Sequence, residues 1–271
     1  MTKQKKFAVL GAGKLGESLI RGLLDAGVVK AGDITVTAGH APRIAQLREE
    51  LGVEGTLSNA DAARAADIVI LSVKPQTVPL VLGELRDVLT PAQLLISVAA
   101  SVSSSFIEKH LARAVPVVRA MPNTPALLRK GMTGLAAGTH ATPEHLELAL
   151  GIFRSVGRTV IVDGKHMDAV TALSASGPAF IYIVIESLAE AGVKVGLPRD
   201  IATELAAQTV LGAGAMVLET GEHPAKLKDL VTTPAGCTID GILELEEGGL
   251  RVTLIKAVVR ATQRAKELLE S

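Results

Sequence analysis

The chain of 271 residues contains one cysteine, no tryptophan and only 2% aromatic residues. Because Cys237 stands alone, disulfide bridges and zinc–cysteine sites within one chain are excluded, and we expect a reducing cytoplasmic location. So few aromatic side chains argue against a stacking platform for bases. The 28 Lys and Arg residues balance the 28 Asp and Glu residues. Because the chain has no surplus of positive charge, its composition does not indicate a nucleic acid or an anionic membrane as partner.

Long apolar runs and metal-ligand patterns are also missing. No uninterrupted run approaches the roughly 20 apolar residues that a membrane span needs, so we expect no contact with a membrane. The basic segment Met1–Lys6 leads into a stretch that glycines interrupt and that lacks a cleavage site, so it predicts a strand and not a signal peptide. His140 and His145 flank Pro143, which breaks helical pairing, and no metal site is predicted. We expect a small organic ligand.

Hydrophobic residues make up 48% of the chain and charged residues 21%, which is typical of a globular protein. Strand-like apolar runs alternate with helical patterns up to Asp163, whereas strand signals stop from Lys165 onward. We therefore predict an α/β protein with a Rossmann-type, doubly wound sheet in residues 1–163. An all-helical domain for substrate binding and dimerisation should follow in residues 164–271.

The first strand runs into a Gly-x-Gly-x-x-Gly turn that opens a helix. In a dinucleotide-binding turn, Gly11 makes the tight bend, Gly13 lets a pyrophosphate approach the backbone, and Gly16 lets the helix lie close to the strand. A purely structural turn is the alternative. A phosphate loop of the nucleoside triphosphatase type is disfavoured because Leu15 follows Lys14 where Ser or Thr should bind magnesium. The predicted cofactor-binding segment is Leu10, Gly11, Ala12, Gly13, Lys14, Leu15 and Gly16.

The end of the second strand predicts which dinucleotide binds. NAD-binding folds usually place Asp or Glu there to hold the ribose hydroxyls, but this chain has Ala38, with His40 and Arg43 nearby. The missing carboxylate and the available cations favour the 2′-phosphate, so NADPH is the preferred cofactor and NADH the alternative. The alternative is that His40 and Arg43 are solvated surface residues without a role in binding.

Two later strand ends also carry polar residues. Lys74 follows an apolar run at the edge where ligands bind in an open α/β sheet, although an ordinary surface ion pair would explain it equally well. Asn123 lies between Pro122 and Pro125, which would hold its short side chain rigidly at a binding edge.

The helical half offers two more polar features. Ser174–Pro178 should interrupt a long helix, because Pro178 breaks the hydrogen-bond ladder and thereby exposes hydroxyls such as that of Ser176. The loop Val231–Thr238 is rich in hydroxyls and free amides and precedes another helix. It could bind a carboxylate, or it could be an ordinary capping loop.

These motifs together resemble the pyrroline-5-carboxylate reductase family over nearly the whole chain. The segments that carry the resemblance are Gly11–Gly16, Ser72–Pro75, Met121–Pro125, Leu173–Phe180 and Leu227–Thr238. The resemblance implies hydride transfer from NAD(P)H to the imine of 1-pyrroline-5-carboxylate, which gives L-proline. A protonated cyclic imine accepts hydride directly, so the protein mainly orients the cofactor and the substrate.

The resemblance also implies roles for residues. Asn59 would reach the ribose phosphate on the adenine side, and Thr238 would lie near the ring nitrogen of the substrate. Two departures from the family pattern are Lys14, in place of a polar amide, and Ala235, in place of glycine. The predicted sets are Ser72, Val73, Lys74, Pro75, Val98, Ala99 and Ala100 for the cofactor; Thr233, Gly236, Cys237 and Thr238 for the substrate; and Thr238 and Ser176 for catalysis. Asn123 joins the cofactor set because of its position at the proline-flanked binding edge.

Two rival functions remain. A β-hydroxyacid dehydrogenase would need a catalytic lysine, whereas nothing ionisable lies between Ser174 and Pro178. A non-catalytic NADP-binding sensor would not need Ser176 and Thr238. For assembly, the thin helical core and the resemblance both predict a homodimer, with a decamer of dimers as a further alternative.

Overall fold

The computed structural model describes residues 5–270, so the first four residues of the basic segment Met1–Lys6 lie outside the described residues. Contacts divide the chain into two units. The first runs up to Ser176 and includes the chain from Ala261 onward, and the second is Gly177–Arg260. The predicted boundary between residues 163 and 164 stays a prediction.

The first unit is built on one sheet. Its strand order is β3-β2-β1-β4-β5-β6-β7-β8. The pairs from β3 to β6 are parallel, β7 runs antiparallel to β6, and β8 is parallel to β7. The strands are β1 (Phe7–Leu10), β2 (Ile34–Thr37), β3 (Glu54–Thr56), β4 (Ile68–Leu71), β5 (Leu94–Ser97), β6 (Val117–Met121), β7 (Gly131–Ala137) and β8 (Gly157–Ile161).

Helices cover this sheet and form the second unit. The predicted Rossmann-type sheet followed by helices is confirmed, since the described residues after β8 form helices and turns. The helices are α1 (Lys14–Asp25), α2 (Ala41–Leu51), α3 (Asn59–Arg64), α4 (Val78–Leu85), α5 (Ser104–His110), α6 (Pro143–Phe153), α7 (Met167–Val170), α8 (Gly177–Lys194), α9 (Arg199–Thr220), α10 (Pro224–Val231), α11 (Cys237–Glu247) and α12 (Leu250–Glu270).

The continuous apolar strands explain the two layers of helices. Along β1, Phe7 and Val9 face one buried cluster, and Ala8 and Leu10 face another. Side chains alternate along a strand, so a strand that is apolar at every position must be covered on both faces. This arrangement places the carboxyl ends of β1, β2 and β4 at one edge of the sheet, where their loops form the site.

Two local expectations were wrong. The edge strand β3 was not predicted, because its three residues are partly exposed and lack an apolar run. Glycine often ends a helix, so the sequence predicts that a helix ends at Gly192. Instead α8 continues to Lys194, and Gly196 takes the left-handed conformation with φ +105°. A Cβ atom on Gly192 would lie 2.8 Å from Cβ of Ala202, so this glycine lets α8 and α9 pack closely.

The predicted interruption near Ser174 is a π-helical turn. It spans Thr171–Ala175, and the amide of Ser176 donates to the carbonyl of Thr171 at 2.9 Å. Pro178 then lies in the first turn of α8, where its missing N–H needs no helical partner. Since π turns are often found at functional sites, this turn is a candidate part of the functional site.

Two helical stretches are long and apolar enough to cross a membrane by length and composition alone. They are residues Gly164–Lys194 and Arg199–Thr220. The sequence analysis overlooked them because it considered only uninterrupted apolar runs. A segment of 18 residues can contain one or two charged residues and still have the mean hydropathy of a membrane span. Core helices of soluble proteins meet the criterion too, so it is weak evidence for a membrane.

Candidate functional site

The turn after β1 contains two glycines that its own protein contacts require. Gly11 has φ +86°, and a Cβ atom there would lie 2.6 Å from Cγ1 and 2.9 Å from Cα of Val73. A Cβ atom on Gly16 would lie 2.9 Å from the carbonyl oxygen of Gly11. A larger residue at either position would push apart β1, α1 and the chain that leaves β4.

Gly13 differs because no protein contact explains it. It is the N-cap of α1, with φ −73° and no side-chain hydrogen bond to the cap. A Cβ atom at this position would meet nothing within 4 Å. The first amides of a helix lack carbonyl partners within the helix and attract anions. The open space beside Gly13 therefore fits the close approach of a pyrophosphate, which completes the glycine pattern.

A chain of hydrogen bonds leads from this turn to α4. The amide of Gly11 donates to Oγ1 of Thr37 at 3.1 Å, and that hydroxyl donates to Oδ1 of Asn59 at 2.6 Å. Nδ2 of Asn59 then donates to Oε2 of Glu84 at 2.8 Å. The chain holds the side chain of Asn59 at the end of β2. Thr37 and Glu84 were not predicted from the sequence as site residues.

Arg43 on α2 stabilises the glycine turn after β1. Its Nε donates to the carbonyl of Ala12 at 3.1 Å, Nη1 donates to Gln46 at 2.9 Å, and Nη2 forms an ion pair with Glu17. The hydrogen bond from Arg43 is the largest of the influences that lower the pKa of Glu17. His40 is the exposed N-cap of α2 and makes no side-chain cap. Of the two predicted cations, Arg43 is therefore already engaged.

The segment after β4 lies against the glycine turn. The amide of Ser72 donates to the carbonyl of Leu10 at 2.8 Å. Its Oγ is buried without a hydrogen-bond partner and would lie 3.3 Å from a Cβ atom on Gly16. Lys74 is exposed. The structure thus brings the Ser72 segment and the glycine turn together, with the Lys74 side chain at the surface.

The segment after β5 is buried except at its end. Val98 and Ala99 are about 5% exposed, and Ala100 packs beside Met121. The next residue, Ser101, has φ +60° and a buried hydroxyl without a partner. A left-handed conformation costs a non-glycine residue roughly 1 kcal/mol or more, so tertiary contacts must hold this turn in place.

Asn123 joins three parts of the first unit. Its Oδ1 accepts from the amide of Met132 at 2.8 Å, and its Nδ2 donates to the carbonyl of Ser174 at 3.2 Å. The amide side chain therefore connects the loop after β6 with β7 and with the π turn. It holds the backbone next to Ser176, a task that the sequence did not reveal.

A buried ion pair lies beneath the same turn. Nη2 of Arg119 lies 3.9 Å from Oδ1 of Asp168, too far for a hydrogen bond, and neither atom has another partner. Burial lowers the pKa of the Arg119 guanidinium, and the charge of Asp168 opposes that shift. Arg119 precedes Met121 on β6 and Asp168 precedes the π turn, so the pair attracts the two elements to each other. Sequence reasoning missed both residues.

In the second unit, the predicted substrate residues lie together at the start of α11. The amide of Gly236 donates to the carbonyl of Thr233 at 3.0 Å, and a Cβ atom on Gly236 would lie 2.5 Å from Oγ1 of Thr233. Gly236 is the N-cap of α11, so Thr238 is the second residue of the helix and not its cap. Cys237 is exposed at the first helical position. This first turn offers free amides to an anion.

Ala235 departs from the family pattern, which has glycine at this position, and adopts φ +58°. That left-handed conformation is easy for glycine and costly for alanine. The loop thus keeps the backbone shape that glycine would favour. Within residues 5–270, no group of three or more His, Cys, Asp or Glu side chains is placed to hold a metal ion.

Comparisons with known proteins agree over the whole chain. Residues 164–268 match the family model described as pyrroline-5-carboxylate reductase dimerisation, and residues 6–101 match that of NADP oxidoreductases, coenzyme F420-dependent. A pyrroline-5-carboxylate reductase of Methanosarcina acetivorans is 47% identical over 98% of each chain.

Two solved structures are similar throughout. One is a pyrroline-5-carboxylate reductase from Coxiella burnetii, with a TM-score of 0.92 and 39% identity, covering 98% of this chain and 99% of the other. The second is a pyrroline carboxylate reductase of Plasmodium falciparum with NADP bound. Its TM-score is 0.89 and its identity 29%, over 99% of this chain and 100% of the other.

The open space at Gly13 leads to a test. We expect Gly13→Ala to lower the free energy of unfolding by no more than about 1 kcal/mol, the usual cost of alanine at an N-cap, since no other part of the protein lies within 4 Å of the new methyl group. It should weaken the binding of a nicotinamide dinucleotide by at least about tenfold, because the methyl group takes the place of the approaching phosphate. Chemical denaturation and fluorescence titration measure the two effects.

Gly32→Ala is the matched control, because its added Cβ atom would also meet nothing within 4 Å. It should change neither quantity. Undiminished dinucleotide affinity in Gly13→Ala would show that the open space has no role in binding.

Proposed function

The chain belongs to the pyrroline-5-carboxylate reductase family, and from that premise we propose how its own residues serve the reaction. The protein reduces the imine of 1-pyrroline-5-carboxylate to L-proline, the last step of proline biosynthesis, and is an NAD(P)H-dependent oxidoreductase. The bound reduced nicotinamide supplies the hydride. The observation that carries the cofactor assignment is the glycine turn, whose open position at Gly13 has no explanation within the protein.

We assign the cofactor to the sheet edge described above. The glycine turn holds the pyrophosphate, and Asn59 faces the adenine ribose from the end of β2. The segments after β4 and β5 are proposed to line the cofactor. Asn123 is proposed to contact it from the loop after β6, where its bonds to Met132 and Ser174 hold the side chain in place. The proposed cofactor residues are Leu10, Gly11, Ala12, Gly13, Lys14, Leu15, Gly16, His40, Arg43, Asn59, Ser72, Val73, Lys74, Pro75, Val98, Ala99, Ala100 and Asn123.

NADPH is the proposed preferred form of the cofactor. The residue directly after β2 is Ala38 and not a carboxylate, and the exposed His40 is the N-cap of α2. Arg43 makes three hydrogen bonds, which leaves two of its five N–H groups for a phosphate. The match to an NADP oxidoreductase family model over residues 6–101 supports the same choice.

We expect kcat/KM for NADPH to exceed that for NADH by about tenfold, the scale of one charge-assisted hydrogen bond to the 2′-phosphate. The measurement follows the loss of absorbance of each cofactor with saturating pyrroline-5-carboxylate. Equal efficiency, or a higher value with NADH, would contradict the preference.

The substrate carboxylate is proposed to bind at the start of α11. The amides of the first turn and the hydroxyl of Thr233 belong to the same short segment of chain. Gly236, which has no side chain, leaves room beside the hydroxyl of Thr233. Thr238 is the second residue of the helix, and its hydroxyl oxygen is proposed to accept a hydrogen bond from the N–H of the protonated imine of the substrate. Ser176, after the π turn, is the second proposed catalytic residue.

Thr238→Ala should lower kcat/KM for pyrroline-5-carboxylate by about tenfold to a hundredfold, as expected for one oriented hydrogen-bonding or proton-transfer group. The affinity for NADPH should not change. Steady-state kinetics, NADPH titration and a melting curve on one preparation separate these effects. Ser176→Ala is assayed in the same way.

Thr232→Ala provides the control, because it deletes a hydroxyl from the same loop. Oγ1 of Thr232 donates to the carbonyl of Lys228 at 3.0 Å, so its loss should lower stability and leave kcat/KM unchanged. A lowered melting temperature with unchanged turnover in Thr238→Ala would assign Thr238 a structural role only.

A homodimer is proposed as the working form. The dimerisation family model matches residues 164–268, and the helices of that region expose many large apolar side chains. Such surfaces are seldom left open to water and are typically covered by a partner. Examples are Ile181, Ile183, Leu188, Ile201, Leu205, Leu211, Leu254, Ile255 and Val259. A decamer of dimers is the proposed higher assembly.

Light scattering should give at least twice the chain mass of 28.0 kDa, because burial of these helices stabilises the dimer. We also place the protein in the cytoplasm, so it should stay in the supernatant when membranes are sedimented. A fully active monomer, or recovery with the membranes, would contradict these assignments.

A further inference from the structure

The carboxylate that β2 lacks is supplied from another element of the fold. Glu84 on α4 accepts a hydrogen bond from Asn59, whose other end is bonded to Thr37, the last residue of β2. We propose that Glu84 is a cofactor-selecting residue, which disfavours the 2′-phosphate of NADPH and so limits the preference for NADPH over NADH. This inference rests on the proposed binding of the adenine ribose at the end of β2.

The direction of the hydrogen bonds fixes the orientation of Asn59. The hydroxyl of Thr37 accepts from the amide of Gly11, so its own proton is free to reach Oδ1 of Asn59. The amide nitrogen of Asn59 must then point at Glu84. The opposite orientation would set the carbonyl oxygen of Asn59 against a carboxylate, and two acceptors at 2.8 Å repel each other. The bonding pattern therefore directs an N–H group of Asn59 at the carboxylate of Glu84.

The end of β2 is where open α/β folds distinguish the two dinucleotides. Thr37 lies there, and its carbonyl also accepts from the amide of Ala12 at 2.8 Å in the glycine turn. A ribose whose pyrophosphate occupies that turn therefore comes next to Thr37 and Asn59. Asn59 has a second N–H group, which can donate to a ribose hydroxyl or to a phosphate while the first stays on Glu84.

A carboxylate at this place treats the two cofactors differently. It can accept a hydrogen bond from a free 2′-hydroxyl, which is the role of the usual strand-end Asp or Glu. It repels a 2′-phosphate, which carries close to two negative charges. At a separation of about 5 Å in a water-like dielectric, this repulsion corresponds to about a tenfold change in affinity. Glu84 is exposed, so salt should screen much of the effect.

Glu84→Gln tests the proposal, because glutamine keeps an oxygen that accepts from Asn59 and removes the charge. Calorimetric titration of the full-length protein with NADP⁺ and with NAD⁺ gives both dissociation constants without turnover. At about 50 mM salt, affinity for NADP⁺ should rise about three- to tenfold, while affinity for NAD⁺ should stay constant or fall. At about 500 mM salt the gain for NADP⁺ should shrink to less than about twofold.

Asp25→Asn is the matched control. Asp25 is an exposed carboxylate at the far end of α1, about 18 Å along the helix from the glycine turn. The Asp25→Asn substitution removes the same charge from the chain and should change neither the dissociation constant for NADP⁺ nor that for NAD⁺. A gain for NADP⁺ in this variant too would reduce the effect of Glu84 to net charge alone and overturn the proposal.

Other outcomes would also overturn it. An unchanged ratio of the two affinities would show that Glu84 does not select, and an equal loss of both would show that it only holds Asn59 in place. A gain that persists at high salt would exclude the charge as the cause. If the wild-type protein prefers NADH, the proposed NADPH preference fails, yet a shift towards NADP⁺ in Glu84→Gln still supports the role of Glu84.

Discussion

The close approach of Gly11 to Val73 is the contact on which the cofactor site depends. β1 and β4 pair in register, with Leu10 opposite Leu71, so their chains leave the sheet side by side and leave no space for a Cβ atom. Gly16, in the first turn of α1, is under a similar constraint, because a Cβ atom there would lie too close to the carbonyl oxygen of Gly11. Since both contacts are made within the protein, the turn holds its shape before any ligand arrives. A rigid turn of this kind reduces the entropy lost on binding.

A second constraint joins the loop after β6 to the π turn. Asn123 connects the carbonyl of Ser174 with the amide of Met132, while Arg119 and Asp168 attract each other below. A buried pair without hydrogen bonds recovers little of its desolvation cost, so its contribution to stability is small. What it does supply is a definite alignment of the two elements, because leaving either charge alone in the interior would cost several kcal/mol.

The sequence predicts those features that depend on neighbouring residues. Apolar runs revealed most strands, and the glycine spacing revealed the turn. Contacts between distant segments were beyond reach: the links from Thr37 to Asn59 and from Asn59 to Glu84 join residues 22 and 25 positions apart. For the same reason Gly192 was interpreted as a helix end, although the close passage of Ala202 explains it. The short edge strand β3 escaped because it lacks an apolar run.

The charges around the adenine end show why cofactor choice cannot be deduced from residue types alone. Arg43 counts as a cation in the sequence, yet it is paired with Glu17 and tied to the carbonyl of Ala12. Conversely, β2 ends without a carboxylate, yet the fold brings Glu84 to Asn59. The local balance is therefore closer to neutral than the sequence indicates. In the proposed preference for NADPH, the attraction for the 2′-phosphate would come from the remaining N–H groups of Arg43, from Asn59 and from the helix amides. Such a preference is a small difference between opposing contributions, which a single substitution can alter.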